Sequence, residues 1–110
     1  MATILSRFYI GQPGTTVAKL GETVPPEYSQ IMKQILLCNT TGSAATISIH
    51  VVPSGNTATN ANRILSNVTI DPNSTETLDL TQVLVAGDEL WGVQGTSGAI
   101  TVCISGVVRS

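Results

Sequence analysis

Short apolar runs that each end in turn residues are the feature that most constrains this fold. The segment from Met32 to Leu80 holds several runs of strand length, and Pro53-Ser54-Gly55 and Asp71-Pro72-Asn73 separate them. Proline and glycine at these points favour turns and interrupt both helices and central strands. The same segment has no cluster of side chains suited to catalysis. The pattern therefore predicts a small all-β domain.

Along the whole chain, this pattern predicts seven to eight short antiparallel strands in a single β-sandwich or jelly-roll-like domain. Residues 1–14 are interpreted as an N-terminal arm or first strand, and residues 15–108 as the sandwich. Residues 56–62 are expected to form a loop or one helical turn, and residues 81–84 a turn-like link. The predicted strands are 3–10, 15–20, 29–39, 46–52, 63–70, 75–80, 89–93 and 99–108.

Two connections are interpreted as hairpins, 39–43 and 95–98, with Asn39 and Gly42 supplying left-handed backbone conformations. In the strand 46–52, the residues Ile47, Ile49 and Val51 alternate with Ser48 and His50. Alternation of this kind predicts one apolar and one polar face. The uninterrupted apolar run 35–38 predicts burial on both faces, with one face against the core and the other against a partner.

Charge is scarce in this chain, and this narrows the classes of partner. Charged residues make up 11% of 110 residues, against about 25% in ordinary soluble domains. Thr and Ser fill the polar positions instead. Such a surface is typical of a chain that is covered by neighbours in an assembly or exposed on a chemically resistant particle. The alternative explanation is that β proteins favour threonine in general. The five Lys and Arg residues are scattered and the net charge is −2, which argues against nucleic-acid binding.

No apolar stretch approaches the roughly 20 residues that span a bilayer, so no membrane partner is expected. The first 14 residues contain no long apolar run of a secretory signal, so export by that route is not supported.

Catalytic and metal-binding patterns are not found in the sequence. His50 is the one histidine, and it is interpreted as a surface or interface residue because no nucleophile motif accompanies it. Cys38 and Cys103 show no metal-binding spacing. They are expected to be reduced and buried, or to form a disulfide if their strands are neighbours. We therefore expect no enzyme activity, no cofactor and no metal.

An ordered set of short motifs resembles small β-sandwich virion structural proteins of tailed bacteriophages. The set comprises ILLCNTTGSAATISIHVVPSG at 35–55, ANRIL at 61–65, PNSTETLDL at 72–80, AGDEL at 86–90 and ITVCISGV at 100–107. The GQPG stretch at 11–14 and the Val24-Pro25 turn also fit. The resemblance covers residues 7–107, and each motif is generic when taken alone.

This resemblance implies a structural role in a virion and supplies no catalytic residues. A capsid decoration (cement) protein is favoured, because a tail fibre usually adds a shaft or a second domain; a tail, baseplate or fibre component is the alternative. The implied partners are further copies of the chain, as a homotrimer, and the major capsid protein or another virion protein. The implied location is the virion, with the capsid surface favoured over the tail, after synthesis in the host cytoplasm.

Candidate interface residues follow from residue type and position. Leu5, Arg7, Phe8 and Tyr9 in the first segment are of apolar or interface-enriched types. Trp91 is the one tryptophan and is interpreted as a core or interface anchor. A carbohydrate-binding module is the rival interpretation, weakened because aromatic residues make up only 4% of the chain. A secreted adhesin is a third, disfavoured by the lack of a signal sequence.

Overall fold

Two antiparallel four-stranded sheets make up the structure, a computed structural model that describes residues 3–109. The first sheet has the strand order β1-β8-β3-β6 and the second β2-β7-β4-β5. A short 3-10 helix, Asn60–Asn62, precedes β5. The strands are β1 Thr3–Gly11, β2 Ala18–Leu20, β3 Ser29–Asn39, β4 Ala45–Val52, β5 Arg63–Ile70, β6 Thr75–Leu84, β7 Glu89–Gln94 and β8 Ile100–Arg109.

The strand order is that of a jelly roll. The first four strands pair with the last four in reverse order, β1 with β8, β2 with β7, β3 with β6 and β4 with β5. Further pairing of β3 with β8 and of β4 with β7 joins these ribbons into two sheets. Eight antiparallel strands wound in this way form a double-sheet jelly roll. The predicted fold class is confirmed.

The core lies between the two sheets and is built by alternating residues. Ile35 and Leu37 in β3, with Val102 and Ile104 in β8, are fully buried, so these positions define the inner face of the first sheet. Residues that alternate with them face outward. The second sheet contributes Ile47 and Ile49, as the alternation predicts, and Val51 is partly buried against the same core.

Both predicted hairpins are wrong, because each joins strands of different sheets. Residues 40–44 lead from β3 in the first sheet to β4 in the second, and residues 95–99 lead from β7 in the second to β8 in the first. Neither Asn39 nor Gly42 has a positive φ. In this topology only β4 and β5 are both consecutive in sequence and paired, so a turn signal between strands does not identify their partners.

The predicted link at 81–84 is also wrong, since β6 continues to Leu84. Its last residues pair with the start of β3, Val83 with Ile31 and Leu84 with Gln30. Leu84 is 1% exposed. Burial of this side chain and the extra ladder pairs stabilise extended backbone where the sequence suggested a turn.

Candidate interaction surface

An open groove of about 920 Å³ crosses the outer face of the first sheet. It lies where three strand pairs change register together: β1 with β8 at Phe8, and β3 with both β8 and β6 at Lys33. Such irregularities bend a strand and re-aim its side chains. The groove is lined by Leu5, Ser6, Arg7, Lys33, Gln34, Asp79, Leu80, Thr81, Ser105, Gly106 and Val107.

The residues proposed for an interface are divided between different surfaces. Leu5, 85% exposed, and Arg7, also exposed, lie on the outer face of β1 and line the groove. Phe8 and Tyr9 are partly buried and pack against the core of their own chain. The register shift between Arg7 and Tyr9 explains this, because an extra residue lets two consecutive side chains share the inner face. Burial raises the pKa of Tyr9.

Within residues 1–14, the structure has an edge strand at Thr3–Gly11, paired along β8. Met1 and Ala2 lie outside the described residues. The groove also contains Lys33, Gln34 and Asp79, which sequence reasoning missed. Lys33 interrupts the alternation of apolar and polar residues in β3, and this interruption is the one sequence feature that could have indicated the groove.

Trp91 belongs to the second sheet, in a polar network on its outer face. Its Nε1 donates to Glu89 Oε1 at 2.9 Å, and Thr23 Oγ1 donates to Glu89 Oε2 at 2.8 Å. Lys19 Nζ lies 3.6 Å from the same carboxylate. The pKa of Glu89 lies below its ordinary value of 4.5. The hydrogen bond from Trp91 lowers it most, followed by the hydrogen bond from Thr23 and then by Lys19. The network fixes the indole orientation on a solvent-accessible face.

Glu89→Gln is expected to lower stability near neutral pH by a modest amount, since the carboxylate is partly exposed. Because the folded pKa of Glu89 is depressed, its contribution is complete above pH 4.5 and is lost as the pH falls through the folded value. Urea denaturation at pH 7 and pH 3 should therefore show a stability difference between wild type and variant that is smaller at pH 3 than at pH 7. Glu76→Gln, an exposed change of equal charge, is the control. A gap of equal size at both pH values would contradict the expectation.

His50 is buried within the chain, so its interpretation as a surface or interface residue is wrong. It is 2% exposed, and neighbouring Ser48 is equally buried. The His50 Nδ1 lies 3.0 Å from the carbonyl oxygen of Thr59 and 3.0 Å from Asn62 Oδ1. Both neighbours are acceptors, so Nδ1 carries the proton. The imidazole therefore ties the loop 53–62 onto β4.

The two cysteines are free, in agreement with the expectation of reduced thiols. They are half-buried rather than buried. Cys38 lies opposite Thr101 and Cys103 opposite Leu36, so the two are diagonal neighbours on β3 and β8. Diagonal pairs are roughly 7–8 Å apart, beyond the usual separation for a disulfide.

Among residues 3–109, no three His, Cys, Asp or Glu side chains are grouped so as to hold a metal ion. No helix in this part of the chain has the length and apolarity needed to cross a membrane.

Comparison with known proteins gives a structural likeness only. No protein-family model and no curated protein sequence matches the chain. A chain in the structure of infectious bursal disease virus, Gx strain, superposes with a TM-score of 0.55 at 11% identity, covering 97% of this chain and 31% of that one. The Gt strain gives a TM-score of 0.45 at 11% identity, with 97% and 28% covered. The protein thus spans about a third of the viral chain, and the Gx match shows a shared fold.

Proposed function

We propose that the protein is a structural component of a virion. The observation that carries the proposal is the jelly roll, whose likeness to a chain of a virus structure extends over 97% of the protein. The jelly roll is a fold of viral capsid domains and of lectin and cupin domains. The ordered motifs that resemble small phage virion proteins support the viral choice independently.

Within that class, we propose a capsid decoration protein that binds the head lattice as a homo-oligomer. Its partner is the major capsid protein or another virion protein. The support is surface chemistry: with 11% charged residues, little charge must be desolvated when neighbours cover the chain. The role is structural and not enzymatic, and His50 is engaged in holding a loop.

Immunogold electron microscopy tests this role. Antibodies raised against the purified protein are applied to purified particles of the virus that encodes it. Labelling over the head surface, with many copies per particle by quantitative mass spectrometry, is expected. Particles that contain no copies while infected cells contain the protein would overturn the virion assignment.

A tail, baseplate or fibre component that binds host glycans is the second candidate. The favouring observation is Trp91, held by Glu89 beside Lys19 on the outer face of the second sheet. An oriented, partly exposed indole is a common platform for a sugar ring. Labelling confined to the tail, with glycan-array binding that Trp91→Ala abolishes, would select this candidate over decoration of the head.

A further inference from the structure

An apolar row crosses the outer face of the first sheet from edge to edge. Leu5 in β1 lies opposite Val107 in β8, Val107 opposite Ile31 in β3, and Ile31 opposite Val83 in β6. Leu5 is 85% exposed and Val83 52% exposed. Four apolar side chains in register on a solvent-facing sheet form a continuous patch of the kind that marks an interaction site.

The next row along the strands is polar and carries opposite charges at its two ends. Arg7 lies opposite Ser105, Ser105 opposite Gln34, and Gln34 opposite Asp79. Three strand spacings separate the two charges by roughly 14 Å, which is too far for an ion pair within one chain. Within the described part of the chain neither charge of this row forms a salt bridge, since the one salt bridge there joins Lys19 and Glu89. Asp79 Oδ1 accepts a hydrogen bond from the neutral Gln34 Nε2 at 3.4 Å, which leaves its charge uncompensated, so both charges of the row can pair with a partner.

Beyond the polar row, a second apolar row contains Ile10, Cys103 and Leu36 and ends at Thr77. Ile10 is 55% exposed. The face therefore has apolar rows on both sides of a row whose ends are positive on β1 and negative on β6.

From this arrangement we propose that the outer face of the first sheet binds the same face of a second copy about a twofold axis parallel to the strands. Such an axis keeps each row opposite itself and reverses its direction. Leu5 then faces Val83 of the second copy, and Arg7 faces Asp79 of the second copy, twice by symmetry. An interface in which both copies use the same surface, so that each residue pair occurs twice, is isologous.

The dimensions of the face are sufficient for a stable dimer. Four strands of about ten residues cover roughly 19 by 33 Å, or about 630 Å². Two copies would bury about 1,260 Å², within the lower range of specific protein interfaces. Sheets packed face to face lie about 10 Å apart, a gap that an arginine and an aspartate together can span.

Lys33 is the remaining charged side chain in the groove, and its position is compatible with the dimer. Its Nζ lies 3.3 Å from Thr81 Oγ1 on the neighbouring strand. The side chain thus lies along its own sheet towards β6, and the groove provides space beside it. A long aliphatic stem can cover apolar surface while its ammonium group stays in water.

Charge exchange combined with mixing tests the arrangement. In Arg7→Asp, both symmetric contacts become Asp against Asp79, and in Asp79→Arg both become arginine against Arg7. Each variant alone is expected to dimerise at least about tenfold more weakly than wild type by sedimentation equilibrium. An equimolar mixture restores both opposite-charge contacts in the heterodimer, so wild-type affinity should return.

Asp71→Arg is the matched control for Asp79→Arg, because Asp71 is exposed in the turn between β5 and β6 and does not line the groove; it is expected to leave the dimer unchanged. A wild-type chain that stays monomeric up to millimolar concentration would overturn the proposal. A trimer, the state implied by the sequence resemblance, requires a heterologous contact and would also overturn it. Weak association of both variants without recovery on mixing would refute the pairing of Arg7 with Asp79.

Discussion

Replacing Gly106 with alanine is expected to cost more than about 3 kcal/mol of stability, a large share of the roughly 5–15 kcal/mol typical of a domain. Gly106 is buried in β8 at the register shift, opposite Met32 of β3. A Cβ at this position would overlap the carbonyl oxygen of Ile31, and it would lie 2.9 Å from the carbonyl carbon of Ile31 and 3.0 Å from Phe8 Cε2. The carbonyl is backbone of a central strand, so relief requires separating β3 from β8.

Gly42→Ala isolates this effect from the general consequence of removing a glycine. Gly42 is exposed, has no positive φ, and a Cβ there would meet no atom within 4 Å. Its substitution is expected to change the free energy of unfolding by less than about 0.5 kcal/mol. Urea denaturation of both variants measures the difference. Equal midpoints would show that the β3–β8 contact relaxes at low cost and that the close approach is not structurally required.

The strands were predictable where burial follows local alternation. Ile100, Val102 and Ile104 alternate with smaller or polar residues and are fully buried. The strand Ser29–Asn39 has the predicted bounds, because its apolar run is long and turn residues follow it. In both cases the signal lies within about ten residues of sequence.

The pairing of strands and the burial of outward-facing residues could not be predicted, because both depend on distant parts of the chain. His50 occupies the polar face of β4, as the alternation indicates, and is nevertheless buried because the loop 53–62 covers it. Arg7 and Asp79 share one row only because β8 and β3 lie between their strands. No pattern in the sequence specifies that row, so the candidate dimer face can be recognised only from the order of the strands in the first sheet.

Asn39 acts through its side chain, and not through the left-handed backbone conformation predicted for it. It is 1% exposed at the end of β3. Its Nδ2 donates to the carbonyl oxygens of Ser43 at 2.8 Å and Ile70 at 3.0 Å. Its Oδ1 accepts from Thr41 N at 3.0 Å and Thr41 Oγ1 at 2.8 Å. One amide thus shapes the connection to β4 and links the first sheet to β5 of the second.

Asn39→Leu is therefore expected to destabilise the fold by about 3 kcal/mol, even though leucine has a similar shape and is more hydrophobic. The substitution leaves the backbone groups of Thr41, Ser43 and Ile70 without these hydrogen bonds, and each unsatisfied buried group costs roughly 1–3 kcal/mol. Asn56→Leu, at an exposed loop position, is the control and should stay close to wild type in thermal and urea unfolding. If Asn39→Leu were as stable as this control, hydrophobic burial at the end of β3 would outweigh the amide network.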